Sequence, residues 1–340
     1  MSDTPTPADV SLESKVAFLR QPSAYPELCF RVEALETHMS WVFLTERHAW
    51  KLKKPVHYDH LDFSTPDVRR FFCEEELRLN RRLAASTYLG VVPLGIDASG
   101  HLCLEGGTAI DWLVKMRRLP VQHMLDYAIR HGSAGTRDIA ALARRLGRFY
   151  ADCPPVALEA ADYRQRFLDD IARNLAELRT PAFHLPAQRI EALCQAHGDF
   201  LRGHTDLFAQ RLAAGRVVEG HGDLRPEHVC LRPTLAVIDC LEFSLDLRIV
   251  DAVDELGFLA LECERLGSCE LGQLLLRTYS QSTQDWPAPA LLGFYQSFRA
   301  CLRARIAIRH LNEEKFRYSA EWRRRAMDYL DLAQRHLPSG

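Results

Sequence analysis

The residues His221-Gly-Asp223 carry the spacing in this chain that points most directly to chemistry. A possible metal ligand, His228, follows five positions after Asp223, and a second aspartate, Asp239, follows a short predicted hairpin. An aspartate in a loop leaving a strand can accept the hydrogen of an attacking hydroxyl, while other side chains hold a metal on nucleotide phosphates. The pattern predicts a phosphoryl-transfer site in which Asp223 is the base and His221 braces the loop.

Asp239 ends an apolar predicted strand, Leu235–Ile238. A carboxylate at a buried strand end is costly unless it is paired or bound to a cation, and Mg²⁺ on ATP phosphates would supply that cation. A single aspartate in a loop is more often a turn or cap residue. Two acids at set offsets around a hairpin are not expected from turn chemistry alone, so we interpret Asp239 as a metal ligand.

Phosphoryl transfer also needs a cation on the α- and β-phosphates, and the segment His48–Pro55 offers lysines. Strand alternation places Lys51 and Lys53 on one face. Lys51 is the first choice, because an alanine two residues before it matches the kinase pattern Val-Ala-Ile-Lys, and Lys53 is the reserve. Read alone, the segment fits a solvated edge strand equally well.

Glu76 is the predicted carboxylate partner of that lysine. It shares one apolar helix face with Leu79 and Leu83, whereas Glu75 aligns with Arg78 on a solvated stripe. An acid on the core-facing side of a helix needs a buried cation, so the helical spacing favours Glu76.

The phosphate-covering turn is less well defined. The chain has no Gly-x-x-x-x-Gly-Lys-Ser/Thr, which excludes a P-loop kinase, and no Gly-x-Gly-x-x-Gly between its first predicted strands. Thr37 and Ser40 occupy that turn instead. Their hydroxyls, with backbone N–H groups, could cover the phosphates.

The elements that must position these residues form an α+β plan. A cap at Ser64–Asp67 opens a helix predicted to run to about residue 86, and Thr136 is predicted to cap another. We expect a flexible lead-in (1–24), a small β-rich lobe (25–116) and a larger helical lobe (117–340). The predicted strands are 31–35, 41–45, 49–53, 90–96, 110–116, 216–220, 229–231 and 236–240, and the later helices are 186–215, 251–266, 288–312 and 319–336.

Composition narrows the function classes. The 340 residues carry a net charge of −2 with a pI near 6.7, which argues against a general nucleic-acid binder. No signal peptide and no apolar run of about 20 residues is evident, so we expect a cytoplasmic protein without a membrane partner. The ten cysteines form no Cys-x-x-Cys pair and are expected to be reduced, mostly buried thiols.

The candidate phosphoryl-transfer motifs described above resemble those of the aminoglycoside phosphotransferase and choline kinase group, which is related to the protein kinases. The resemblance covers about residues 30–265 and is most specific to bacterial proteins named "aminoglycoside phosphotransferase family enzymes". Four N-terminal runs and the His221 motif carry it: Glu36–Leu44, Lys51–Val56, Leu61–Ser64, Glu74–Leu83 and Val218–Leu231.

The resemblance implies a bilobal protein kinase-like fold, an ATP cleft, Mg²⁺ and a small hydroxylated substrate. It implies Asp223 as catalytic base, Asp239 as metal ligand, and Lys51 with Glu76 as the phosphate-holding pair. The segment Asp111–Arg117 would be the hinge whose backbone meets adenine, which puts Lys115 and Met116 in the cofactor-binding set.

One position departs from the group. Asparagine usually follows the catalytic aspartate by five residues, and here His228 stands there. A neutral imidazole suits Mn²⁺ better than Mg²⁺, so His228 is predicted to be a metal ligand in a Mn²⁺-preferring enzyme. The alternatives are a degenerate kinase that binds nucleotide without transfer, and a metal-dependent phosphoesterase that uses His221, Asp223, His228 and Asp239.

Two further charged groups receive structural interpretations. Asp251 and Asp254 stand where acids suit a helix dipole, and in the related group an aspartate there pins the metal loop. Arg299, Arg303, Arg305 and Arg309, spaced by helical turns, are predicted to form a solvated basic face, and contact with an anionic substrate is the alternative.

Overall fold

A computed structural model describes residues 10–58, 61–317 and 319–338. The predicted polar tail, residues 1–10, lies almost entirely outside the described residues. The chain forms two compact units, one made of the residues up to 124 together with 228–245, and the other made of 125–227 together with 246–340. The sequence suggested one boundary between two lobes, between residues 116 and 117. In the structure the chain enters the second unit at residue 125, returns to the first at residue 228 and enters the second again at residue 246.

The first unit is rich in strands and the second in helices. Within the described residues, no helix has both the length and the apolar character needed to cross a membrane. In chain order the elements are α1 (Leu12–Leu19), β1 (Glu33–Glu36), β2 (Ser40–Leu44), β3 (His48–Lys53), β4 (His57–Tyr58), β5 (Leu61–Asp62), α2 (Pro66–Ala84), β6 (Tyr88–Ile96), β7 (Leu102–Leu104), β8 (Thr108–Arg117), α3 (Leu125–Arg130), α4 (Thr136–Asp152), α5 (Ala160–Leu178), α6 (Ala187–Gly203), α7 (Thr205–Ala213), β9 (Val217–Glu219), β10 (Val229–Cys230), β11 (Ala236–Val237), α8 (Leu245–Arg248), β12 (Ile249–Asp251), α9 (Ala252–Arg265), α10 (Cys269–Thr283), α11 (Pro289–Arg309) and α12 (Ala320–His336).

An antiparallel six-stranded sheet, in the order β1-β2-β3-β8-β6-β7, is the frame of the first unit. Phe43 of β2, Trp50 of β3 and Leu113 of β8 lie in one core cluster. Strand β3 pairs with β2 and β8, so it is central in the sheet, and the edge-strand interpretation of residues 49–53 was wrong.

Helix α2 and the hairpin β10–β11 also belong to the first unit. Thr65 caps α2 by accepting a hydrogen bond from the N–H of Val68, as the Ser64–Asp67 signal predicted. Cys73 of α2, Tyr88 of β6 and Ala236 of β11 share a core cluster. The hairpin therefore brings the residues that follow β11 to the helix that carries Glu76.

The second unit packs helices around a short antiparallel pair, β9 with β12. The predicted helix 186–215 is two helices, because the backbone leaves the helical conformation at His204 (φ −125°, ψ 44°). Gly135, not Thr136, is the N-cap of α4, and its N–H donates to the Asp138 carboxylate. Helices α5 and α10 were not identified from the sequence.

The predicted solvated basic face on α11 was wrong for at least two of its arginines. Arg299 donates to both carboxylate oxygens of Asp254, at 2.7 and 2.6 Å. Arg305 donates to Asp170 at 2.9 Å, and only 8% of its side chain is exposed. Arg309 is 58% exposed. Arg299 and Arg305 are turned away from solvent because they pair with acids on neighbouring helices, Asp254 on α9 and Asp170 on α5. The residue spacing along α11 contains no information about acids on other helices.

Candidate active site

Lys51 stands between two carboxylates of the first unit. Its Nζ lies 2.9 Å from Oε1 of Glu76 and 3.0 Å from Oδ1 of Asp239. Burial by itself would lower the pKa of Lys51, but Asp239, Glu76 and Glu242 reverse this and raise it well above the usual value. The ammonium therefore stays charged, and 15% of the side chain is exposed.

Lys53 lies on the same face of β3 but is fully buried. Its Nζ is 2.7 Å from Oε2 of Glu76, and it also contacts Glu242. The two oxygens of Glu76 are thus shared between two lysines. Burial would raise the pKa of Glu76, but Lys51 and Lys53 hold it below the usual value. The sequence left these lysines as alternatives, and the structure brings both to the same carboxylate.

The backbone of Asp239 adopts a left-handed conformation, with φ at 62°. Its N–H donates to the hydroxyl of Tyr88 at 3.1 Å, and the next N–H, of Cys240, donates to Oδ1 of Asn80 at 3.0 Å. Sequence reasoning missed Tyr88 and Asn80, because Tyr88 lies outside the motifs and Asn80, inside the run Glu74–Leu83, had no role assigned to it. Asn80 follows Glu76 by one helical turn, and that spacing is the only signal that could have indicated it.

His228 lies beside Asp239, with Nε2 at 3.5 Å from Oδ2. Two ligands of one divalent cation can have this separation, since Mg²⁺ and similar ions form bonds of about 2.1 Å. The side chain of Asp239 is 48% exposed, whereas that of His228 is 8% exposed. One imidazole and one accessible carboxylate make a donor set that fits a divalent cation.

Asp223, in the second unit, has its carboxylate held by Arg225. The Nε of Arg225 donates to Oδ2 of Asp223 at 2.9 Å, and Nη1 contacts Glu227. The N–H of Asp223 donates to Nδ1 of His221 at 3.4 Å. The imidazole is 1% exposed and lies inside the loop. Arg225 was not identified from the sequence.

The backbone of this loop is fixed by Glu255 of α9. The N–H of His221 donates to both oxygens of Glu255 at 3.0 Å, and the N–H of Gly222 donates to Oε1. The hydroxyl of Tyr150 donates to Oε2 at 2.7 Å. A Cβ on Gly220 would lie 2.7 Å from Oε2 of Glu255, so the approach needs glycine there.

Glu255 therefore holds the loop that carries Asp223. The role that the resemblance implied for an aspartate at this helix start, pinning the metal loop, stays a prediction. Asp251 is the N-cap of α9 and accepts from Val253, and it also binds Arg211 through both oxygens at 2.7 Å. Asp254 binds Arg299. The dipole interpretation of Asp251 is consistent with its cap position.

Thr37 and Ser40 lie in the turn between β1 and β2. The Thr37 hydroxyl donates to the Ser40 carbonyl and accepts from the Ser40 N–H, both at 3.0 Å. Ser40 is 2% exposed and is the register partner of Lys53. The Thr37 hydroxyl and the Ser40 backbone close the turn, and a role for either hydroxyl on phosphates stays a prediction.

The segment predicted to be the hinge, Asp111–Arg117, lies within strand β8. Strand β3 pairs with one side of it and β6 with the other, so both edges of its backbone are used in the sheet. Lys115 donates to Glu105 at 2.7 Å and lies over the Trp50 ring, away from Lys51. Met116 is 8% exposed. The structure does not bring Lys115 to the lysine cluster, and Met116 shares a core cluster with Tyr88. Their roles on the nucleotide stay predictions.

Solved structures with a similar fold include a choline/ethanolamine kinase family protein from Mesorhizobium loti. The two chains are 16% identical with a TM-score of 0.55, and 96% of each is covered. A choline kinase from Cryptosporidium parvum is 11% identical with a TM-score of 0.54, covering 95% of this chain and 96% of that one. The chain has a choline kinase-like fold. The predicted α+β, protein kinase-like class is confirmed.

Curated relatives share more sequence but carry no assigned activity. Uncharacterised proteins of Mycobacterium tuberculosis and Mycobacterium bovis are 32% identical to this chain over 318 residues. The match covers 90% of this chain and 60% of the relatives' length. No protein-family model matches the chain.

Proposed function

We propose that this protein is a phosphotransferase that moves the γ-phosphate of ATP to a hydroxyl of a small molecule. The observation that carries the proposal is the placement of Lys51, whose Nζ lies 2.9 Å from Glu76 and 3.0 Å from Asp239. A lysine held by a helix glutamate beside a metal-binding aspartate is the arrangement that kinases use on nucleotide phosphates. Lys51 is the phosphate lysine, because Lys53 is fully buried.

Asp223 is the base in this proposal. It accepts the hydrogen of the substrate hydroxyl as the oxygen attacks phosphorus, and Arg225 donates to one carboxylate oxygen and helps to fix its orientation. His221 and Glu255 hold the loop and do not react. This division of roles explains why a histidine so close to the base is 1% exposed.

Asp239 and His228 would hold a divalent cation, and the 3.5 Å between their donor atoms supports this assignment. When bound, the cation neutralises charge on the β- and γ-phosphates. An imidazole ligand favours Mn²⁺ over Mg²⁺.

The choline kinase-like fold supports small-molecule phosphotransfer, because the similar structures are those of a choline kinase and a choline/ethanolamine kinase family protein. A third structure with this fold, LicA, was solved in complex with AMP; it is 15% identical with a TM-score of 0.50, covering 95% of this chain and all of that one. ATP as the donor is our extension of that likeness.

The test is γ-phosphate transfer from labelled ATP to a panel of hydroxylated metabolites, with Mg²⁺ or Mn²⁺ present. Asp223→Asn should abolish transfer, since one proton acceptor is removed without changing side-chain size. Asp199→Asn, at a carboxylate that is 61% exposed on α6, is the matched control and should transfer normally. Transfer by Asp223→Asn at the wild-type rate would refute the assignment.

The degenerate-kinase alternative rests on His228 and has its own signature. Calorimetry would then detect ATP binding to the wild type, and no acceptor in the panel would be phosphorylated. Loss of ATP binding in Lys51→Met, together with transfer by the wild type, supports the phosphotransferase.

A further inference from the structure

Lys53 has no part in the proposed reaction, yet it is the more deeply buried of the two lysines on β3. Its side chain is 0% exposed, and its ammonium contacts Glu76 and Glu242. Burial by itself would lower the pKa of Lys53, but the two carboxylates raise it above the usual value. A buried charge is tolerated only where its partners compensate for the lost water. The Lys53 ammonium is therefore paired with these two carboxylates and is not accessible to a ligand.

Glu242 follows Asp239 by three residues, so the two lysines fasten one short segment to strand β3. Lys51 contacts Asp239 at one end, and Lys53 contacts Glu242 at the other. The side chains of the outer pair are 15% and 48% exposed, whereas those of the inner pair are 0% and 9% exposed. Solvent and ligands can reach the outer ion pair, and the inner one is sealed.

The direction of the Asp239 carboxylate depends on how this segment is held. The left-handed backbone at Asp239 is a sparsely populated conformation for a residue other than glycine, so the surroundings must maintain it. The hydrogen bonds to Tyr88 and Asn80 hold the N–H groups of residues 239 and 240. In the proposed reaction Lys51 engages phosphate, which weakens the outer ion pair while the inner one persists.

We propose that Lys53 and Glu242 are positioning residues whose buried ion pair keeps residues 239–242 on β3 and thereby keeps the Asp239 carboxylate directed at a divalent cation. The roles of Asp239 and Lys51 in this inference rest on the proposed function. The pair itself touches neither nucleotide nor metal, so it acts only through the segment.

The test compares the full-length wild type with the double variant Lys53→Met/Glu242→Gln. Both charges of the pair are removed together, so no uncompensated charge is buried, and Glu76 keeps Lys51. Hydrogen exchange of the Asp239 and Cys240 amides should accelerate. Binding of Mn²⁺, followed by electron paramagnetic resonance, should weaken about tenfold or more, as for other residues that orient metal ligands.

A matched control is Glu75→Gln/Arg78→Met, which removes an ion pair of 2.8 Å from the solvated side of α2, the helix that carries Glu76. It should leave both amide exchange and Mn²⁺ binding unchanged. ATP binding measured without metal should be retained in both double variants, because Lys51 and Glu76 remain.

Each result decides a separate question. Unchanged exchange at residues 239 and 240 in Lys53→Met/Glu242→Gln overturns the inference, as does faster exchange with wild-type Mn²⁺ affinity. If the wild type binds no Mn²⁺ and transfers no phosphate, the proposed function fails, and so does the claim that the ion pair directs the Asp239 carboxylate at a cation. Amide exchange at residues 239 and 240, compared between the wild type and Lys53→Met/Glu242→Gln, then decides whether the pair still holds the segment.

Discussion

Replacing Glu255 with glutamine tests how the loop that carries Asp223 is held. The carboxylate accepts three donors: the N–H groups of His221 and Gly222, and the hydroxyl of Tyr150. Glutamine has nearly the same size but only one acceptor oxygen and no charge. A hydrogen bond to a charged group contributes about 1.5–3 kcal/mol and a neutral one about 0.5–1.5 kcal/mol, so weakening the two N–H bonds should cost about 2–3 kcal/mol of unfolding free energy.

Urea unfolding followed by circular dichroism measures this loss, and the rate of phosphate transfer shows whether the loop has moved. Tyr150→Phe is the matched control, because it removes one donor and leaves the carboxylate with both N–H groups. It should reduce stability by about 1.5–3 kcal/mol, the contribution of one hydrogen bond to a charged group, and leave transfer largely intact. A loss below about 0.5 kcal/mol in Glu255→Gln would refute the claim that this carboxylate holds the loop.

Three further variants probe other parts of the structure. His197 is buried and its pKa is lowered to about 4, because burial disfavours its charged form. In the unfolded chain the imidazole binds a proton near pH 6.5, so the free energy of unfolding should fall by about 2 kcal/mol between pH 7 and pH 5. Urea unfolding of His197→Phe should show a shallower pH dependence than the wild type. His228→Asn should raise Mg²⁺-supported transfer relative to Mn²⁺, and an unchanged ratio of the two rates would contradict imidazole ligation. Gly220→Ala should lower stability and slow transfer, because its Cβ would lie 2.6 Å from Val250 and 2.7 Å from Glu255; a normal melting temperature with normal transfer would show that the loop yields easily.

Periodicity was enough to predict most of the first unit. Strand alternation located β1, β2, β3, β6 and β8 within two or three residues, and the cap signal located the start of α2. The helical offsets also separated Glu76 from Glu75, because an acid in phase with leucines must face the core. These predictions depended only on the order of apolar and polar residues along the chain. That order is enough to locate short strands and amphipathic helices, because their side chains repeat with a fixed period.

The features that were missed depend on contacts distant in sequence. Lys51 and Lys53 share a strand face, and alternation cannot reveal that only one of them is sealed by Glu242, 189 residues from Lys53. Asp251, Asp254 and Glu255 lie within about one helical turn. Which of these acids contacts the loop that carries Asp223 depends on Tyr150, 105 residues from Glu255, and on the space left at Gly220.

The two-part composition of the first unit has a consequence for synthesis of the chain. Lys51 and Lys53 emerge from the ribosome 188 and 189 residues before Asp239 and Glu242. At translation rates of about 5–20 residues per second, the two ammonium groups wait roughly 10–40 s with only Glu76 as a partner within this cluster. Final burial of Lys53 must therefore follow the emergence of Glu242, and a nascent chain released before that point cannot complete its first unit.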